Sequence, residues 1–237
     1  MAISELELPQ GVQARPHDDA EQLAQALAQR VAEALREAIA RRGRATLVVS
    51  GGRSPVPFFE ALSQCELPWA QVLVSLADER WVPVNHAASN EALVRRHLLR
   101  GLAAEARFLS LYQVAGNHEQ AAELADAAVA ELAPIDVLVL GMGDDGHTAS
   151  LFPGSANLAQ ALQTDCPRRV LAMRAPSEPA QRLTLTLPVL ASAGLSLLAI
   201  QGQAKLNTLK AALQPGDTAQ LPIRAFLNSP LEIHWCP

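Results

Sequence analysis

The stretch "ATLVVSGGRSP", Ala45–Pro55, reads as a buried strand breaking into a helix. Ala45–Ser50 is a short apolar run with β-branched residues, the pattern of a strand covered on both faces. Gly51 and Gly52 then let the backbone turn tightly and approach a ligand closely. Ser54 stands where a helix cap would stand, Pro55 suits a first helical turn, and the pattern predicts a helix over Val56–Gln64. Free amides and the positive dipole end at such a helix start suit an anion. The same residues also make a tight turn with no ligand, and they match neither the P-loop nor the dinucleotide fingerprint.

The strand-then-helix unit recurs along the chain. Upstream, Asp18–Arg42 carries Leu23, Leu27, Val31, Leu35 and Ile39 at i+4 spacing, with acidic residues at its start and arginines at its end, an amphipathic helix oriented as its dipole prefers. Downstream come strands over Gln71–Ala77, Ile135–Gly141, Arg169–Ala175, Leu195–Gly202 and Leu231–Cys236, with helices over Ser89–Leu99, His118–Leu132 and Gln203–Leu213. The first 17 residues read as irregular, and Pro176–Pro179 as a turn inside the domain. Buried strands alternating with amphipathic helices predict one α/β domain over 1–237, a mostly parallel twisted sheet with helices on both faces. The final strand is the expected antiparallel exception, if there is one.

Composition narrows the function classes. Apolar residues make up 49% of the chain and charged residues 18%, enough for a sizeable core. The net charge of −5 argues against nucleic acid, whose binders carry a basic face, but leaves room for a small anionic ligand held by local arginines. Cys65, Cys166 and Cys236 form neither a metal spacing nor a disulfide framework. With no secretory pattern at the start and no apolar run long enough for a membrane helix, a cytoplasmic location and no membrane partner are expected. Oligomeric state is not readable.

In open parallel sheets, ligands bind beyond the carboxyl ends of the strands, near the point where strand order reverses. Four unusual segments fall at such ends: Ser50-Gly51-Gly52, Asp78-Glu79-Arg80, Gly141–His147, and Gly202 with Lys205. Arg80, alone a member of a solvated charge cluster, can grip an anion by paired charge-assisted hydrogen bonds. Lys205, at a helix start, can reach the same anion. In "GMGDDGH" the glycines free a tight loop, and His147 is a residue type that changes charge near neutral pH and that a neighbouring carboxylate can orient. Taken alone, it is more readily a histidine that ties the loop together. The loop is not a G-x-G-x-x-G fingerprint, so a nicotinamide enzyme is rejected.

Together "VSGGRSP", "LADERWVP", Ser89-Asn90, "LGMGDDGHTASLFPGS", "RLTLTLPVL" (Arg182–Leu190) and "GQAK" (Gly202–Lys205) resemble the bacterial 6-phosphogluconolactonase family, over nearly the whole chain and in order. The resemblance implies a glucosamine-6-phosphate deaminase-like fold, a phosphorylated sugar lactone as substrate, hydrolysis of its ester, and no metal or organic cofactor. It makes His147 the base and Asp145 its polar neighbour. Substrate or phosphate contacts fall to Ser50, Gly51, Gly52, Arg53, Asp78, Arg80, Gly143, Arg182 and Lys205, while Asp144 carries no expected role. Deaminase relatives of this fold place a glutamate for ring-opening proton transfer where this chain has Phe152, and a phenyl ring moves no protons. The alternatives are a sugar-phosphate deaminase or isomerase and a non-catalytic sugar-phosphate sensor. The sensor would need no His147 and would bring a basic DNA-reading segment.

Overall fold

The computed structural model describes residues 2–237. In chain order its elements are β1 (Val12–Pro16), α1 (Ala20–Arg42), β2 (Ala45–Val49), α2 (Val56–Leu62), β3 (Val72–Leu76), β4 (Asp78–Arg80), α3 (Asn90–His97), β5 (Arg107–Phe108), α4 (His118–Ala128), β6 (Val137–Leu140), α5 (Leu158–Ala161), β7 (Val170–Arg174), β8 (Gln181–Leu185), α6 (Leu187–Leu190), β9 (Leu195–Gln201), α7 (Gln203–Ala212) and β10 (Leu231–Cys236), separated by loops and short 3₁₀ turns.

Seven strands form the main sheet in the order β1-β10-β9-β6-β2-β3-β5, every pair parallel. β2, β3 and β6 are almost wholly buried, as their continuous apolar sequences require of strands covered on both sides. Crossovers run in one direction from β2 to β3 and in the other from β6 to β9, so right-handed connections place helices on opposite faces. α1 and α2 pack on one another. α1 begins at Asp19, whose side chain accepts the Gln22 N–H at 2.8 Å, and ends at Gly43, which takes the left-handed turn at φ 71°. Such caps are worth about 1 kcal/mol each.

Three expectations are corrected. The final strand β10 is not the antiparallel exception but lies parallel between β9 and β1. Antiparallel pairing occurs instead in a separate sheet, β4-β8-β7, where Arg169–Ala175 lies. The opening residues are not all irregular, because Val12–Pro16 adds an edge strand to β10. Among the described residues, no helix is long and apolar enough to cross a membrane.

β1 and β10 are tied at their ends by two histidines. The His17 backbone N–H donates to the Trp235 carbonyl, and the His17 and His234 rings stack with centroids 5.1 Å apart and a 3.0 Å contact between Nε2 and Nδ1. Burial, with the His17 charge adding, pushes His234 down to about 4 against a partial offset from Glu232, and burial also lowers His17. A histidine with a depressed folded pKa contributes stability that is complete above the unfolded value and lost as pH falls through the folded one. The window here runs from pH 6.5 down to about 4. Glu79, pushed up to about 7 by burial, acts in the opposite sense, its contribution fading as pH rises from 4.5 towards 7. A His234→Phe variant, which keeps an aromatic ring and loses the titration, should therefore lose less stability than the parent between pH 6.5 and 4, by up to about 3 kcal/mol. Urea midpoints across that range read the difference, and parallel curves for the two proteins would refute it.

Candidate active site

Strand order reverses between β2 and β6, and the chain opens a cleft there. The Ser50 N–H, just past β2, donates to the Val139 carbonyl of β6 at 2.9 Å and closes the floor. Above it lies a cavity of about 290 Å³. Its walls bring together segments distant in sequence: Ser50–Gly52, Asp78 and Arg80, Gly141–Gly143, His147–Ala149, Arg182 and Lys205.

The loop after β6 is built around His147. The Gly143 N–H donates to the His147 carbonyl at 2.8 Å, and the Gly146 N–H to the Gly143 carbonyl at 3.1 Å. Gly146 takes φ 75°, the conformation a glycine adopts at no steric cost. Asp145 Oδ1 lies 2.5 Å from His147 Nδ1 and also accepts the His147 backbone N–H at 3.1 Å. Burial opposes ionisation of Asp145, but the hydrogen bonds from His147 outweigh it and hold the carboxyl below the usual range. An ionised carboxylate on Nδ1 fixes the proton there and leaves the lone pair on Nε2. Phe152 lies against the ring, centroid to centroid 4.5 Å, and also faces the Arg182 guanidinium at 5.7 Å.

The opposite wall comes from the small antiparallel sheet. Arg80 on β4 and Arg182 on β8 are cross-strand partners, an arrangement that repels unless something anionic sits between or beside them. Arg182 is 7% exposed; burial lowers its pKa, and the Arg80 charge adds to the effect. Its Nε donates to the Pro179 carbonyl at 2.9 Å, and Arg80 Nη1 donates to the Ala88 carbonyl at 2.7 Å. Both guanidinium groups are thereby aimed rather than free to wander. Asp78, also buried, accepts the Ser150 hydroxyl at 2.5 Å. Just before Ser150 stands Ala149, a non-glycine residue at φ 49° in the cavity wall, a strain of about 1–3 kcal/mol held at the site.

Between Asp78 and Arg80, Glu79 faces away into the core. It accepts the backbone N–H groups of Arg80, Asn90 and Glu91 and the Ser89 hydroxyl, and so anchors the start of α3. The charge triplet at 78–80 thus divides its work, with one carboxylate structural and the flanking residues in the cavity. Lys205, on the first turn of α7, donates to the Met142 carbonyl at 2.6 Å and lies 3.3 Å from Asp144 Oδ1. Asp144, given no role from sequence, helps to hold Lys205.

Two expectations from the first turn need correction. Arg53 is exposed and does not line the cavity, because the turn carries its side chain outwards. Ser54 does not cap the following helix: the cap position falls to Pro55, with no side-chain hydrogen bond. The sequence reading also missed Asn90 and Phe152 as wall residues, although it singled out Ser89-Asn90 and "SLFP".

Four buried side-chain polar atoms have no hydrogen-bond partner among the described residues, and three belong to residues lining this cavity: Ser50 Oγ, Arg80 Nε and Asn90 Oδ1. Buried polar groups are normally paired, so unpaired ones on three residues around one cavity mark its surroundings as polar. Among the described residues, no three His, Cys, Asp or Glu side chains converge as a metal site would.

Known proteins resemble this chain over its whole length. The family model described as glucosamine-6-phosphate isomerases/6-phosphogluconolactonase matches residues 18–235. The 6-phosphogluconolactonase of Pseudomonas aeruginosa is 61% identical over 238 residues, covering 100% of both chains. That of Pseudomonas putida is 59% identical, over 100% of this chain and 98% of its own. The crystal structure of a 6-phosphogluconolactonase from Shewanella baltica superposes with a TM-score of 0.92 at 37% identity, covering 98% of this chain and 100% of that one.

Proposed function

The chain belongs to the family of glucosamine-6-phosphate isomerases and 6-phosphogluconolactonases and is an enzyme that hydrolyses 6-phosphogluconolactone in the pentose phosphate pathway; from that premise we propose that His147 activates the attacking water. The observation that carries this reading is the 2.5 Å contact of Asp145 with Nδ1, which leaves a basic Nε2 on a residue that lines the cavity.

A lactone carbonyl is already electrophilic and needs an activated water more than a covalent nucleophile. Nε2 of His147 takes a proton as the water oxygen bonds to C1, and Asp145 stabilises the imidazolium that results. The carbonyl electrons move onto the exocyclic oxygen, where Arg182 or the backbone amides of the glycine-rich loops face the new charge. When the intermediate collapses, the C1–O5 bond breaks and the imidazolium returns its proton to O5, giving an open-chain acid that ionises in water. Phe152 contributes no proton-transfer group, which fits hydrolysis and not the ring-opening chemistry of deaminases.

The phosphate lies far from the reacting carbon, so its contacts position the substrate and supply binding energy. Arg80, Lys205 and the Ser50–Gly52 turn are the groups we assign to it. This reading places the enzyme in the cytoplasm, with its phosphorylated substrate. Freshly generated 6-phosphogluconolactone and its unphosphorylated counterpart, assayed with the spontaneous rate subtracted, test the anion site. Two charge-assisted contacts at the lower end of their range predict a kcat/KM about 10²-fold lower without the phosphate. Equal values for the two lactones would remove the phosphate from the account.

A further inference from the structure

Resting on the reading of His147 as the base, we infer that Thr208 and Lys205 are positioning residues that clamp its loop to α7. The loop's own bonds cannot place the imidazole in the cavity. The Gly143 N–H on the His147 carbonyl, the Gly146 N–H on the Gly143 carbonyl, the Thr148 hydroxyl on the Gly141 carbonyl and the Asp145–His147 contact all join residues 141–148 to one another. They fix the internal shape of the loop, and each would survive if the loop tilted as a body. Its ends are held by β6 and by Ser150, whose hydroxyl donates to Asp78. Between those ends, its place in the site depends on bonds from other elements.

Those bonds come from α7 and the 3₁₀ turn after it, and they fall on the loop's carbonyls. Lys205 Nζ donates to the Met142 carbonyl at 2.6 Å, and Thr208 Oγ1 donates to the Asp144 carbonyl at 2.8 Å. The Ile223 N–H donates to the Gly146 carbonyl at 3.0 Å. Lys205 and Thr208 are three residues apart on α7 and therefore share a face, from which they grip alternate carbonyls of the loop. The Thr208 hydroxyl lies farther from its other acceptor, the Ala204 carbonyl at 3.3 Å, so its proton belongs to the loop. The Asp144 carboxylate adds little, because it is 75% exposed and its 3.3 Å contact with Lys205 is screened by water. Leu221 presses from the turn side, where a Cβ on Gly146 would lie 2.6 Å from its Cδ2. Lys205 lines the cavity but Thr208 does not, so removing the Thr208 hydroxyl alters the clamp without touching the binding wall. A misplacement of about 1 Å costs on the order of 10²-fold in rate, and losing one tie among several permits a smaller shift than that.

The test uses the full-length enzyme with 6-phosphogluconolactone and its unphosphorylated counterpart. Thr208→Val keeps the shape of the side chain and loses the donor. It should lower kcat about tenfold, by the same factor on both lactones, with KM changed less than about twofold. Thr208→Ser, which keeps the hydroxyl, should recover most of that loss, and the urea midpoint should stay with the wild type in both. A Thr208→Val kcat within about twofold of wild type overturns the inference, and so does a loss that Thr208→Ser fails to restore. Lys205→Met is the second arm and decides the matter should Thr208→Val fail to fold. A lysine that served the phosphate alone would leave turnover of the unphosphorylated lactone untouched when replaced. The clamp predicts a fall in kcat of about tenfold there too, and an unchanged value overturns it. Equal kcat/KM of the wild type on the two lactones would instead remove the phosphate assignment, while the Thr208 comparison still decides the clamp.

Discussion

Replacing His147 with alanine is expected to lower kcat on 6-phosphogluconolactone by about 10²–10⁴-fold while KM changes only a few-fold. The asymmetry follows from the site's layout. The proposed binding groups sit on β4, β8, the Ser50–Gly52 turn and α7, whereas His147 belongs to the loop after β6 and meets Arg182 through Phe152. Removing the imidazole deletes the proton acceptor without removing a cation. Asp145 should not substitute for it, because a carboxylate is an intrinsically weaker base than an imidazole. The measurement is initial rate against substrate concentration at neutral pH, with spontaneous hydrolysis subtracted at each point. A variant kcat within tenfold of wild type would show that water attacks without the histidine. A large rise in KM with kcat preserved would make His147 a binding residue instead.

Why His147 was legible and other features were not is a matter of range. The long helix α1 and the buried strands β2, β3, β6 and β9 announce themselves through local periodicity, and the polar ends of those strands mark the cleft. β4 could not be read that way, because Asp78-Glu79-Arg80 is three charged residues made a strand only by pairing with Arg182–Thr184, more than a hundred residues on. β1 carries an exposed arginine and a proline, tolerable on an edge strand, and its sequence looks like a loop. β10, the expected antiparallel exception, is parallel because α7 and the loops after it return the chain for a parallel crossover. Side-chain direction was the other blind spot. Arg53 and Arg80 are equally plausible anion ligands on paper, and only the backbone path shows that one faces solvent and the other the cavity. Likewise Glu79 and Asp78 are neighbours of one charge type, and strand alternation sends one into the core and the other to the site.

Gly143 yields the second large effect. The sequence reads it as one of the glycines that free a tight loop, and the family resemblance makes it a substrate contact. In the structure its space is taken by the His147–Asp145 pair, since a Cβ there would lie 2.2 Å from His147 Cε1 and Nδ1 and 2.6 Å from Asp145 Oδ1. Gly143 is not among the residues at positive φ, so alanine meets no backbone penalty, and its N–H can still donate to the His147 carbonyl. The conflict is therefore with the imidazole and its carboxylate, and one of them has to move. Geometry of this kind decides rate steeply, because a displacement of about 1 Å costs on the order of 10²-fold. Gly143→Ala is thus expected to lower kcat by about 10²-fold or more, with the urea midpoint shifted by no more than about 1 kcal/mol of stability. Paired measurement of kcat and stability separates this outcome from simple unfolding. A Gly143→Ala enzyme with kcat within threefold of wild type would mean that the His147–Asp145 pair tolerates displacement, and that its 2.5 Å contact does not set the rate.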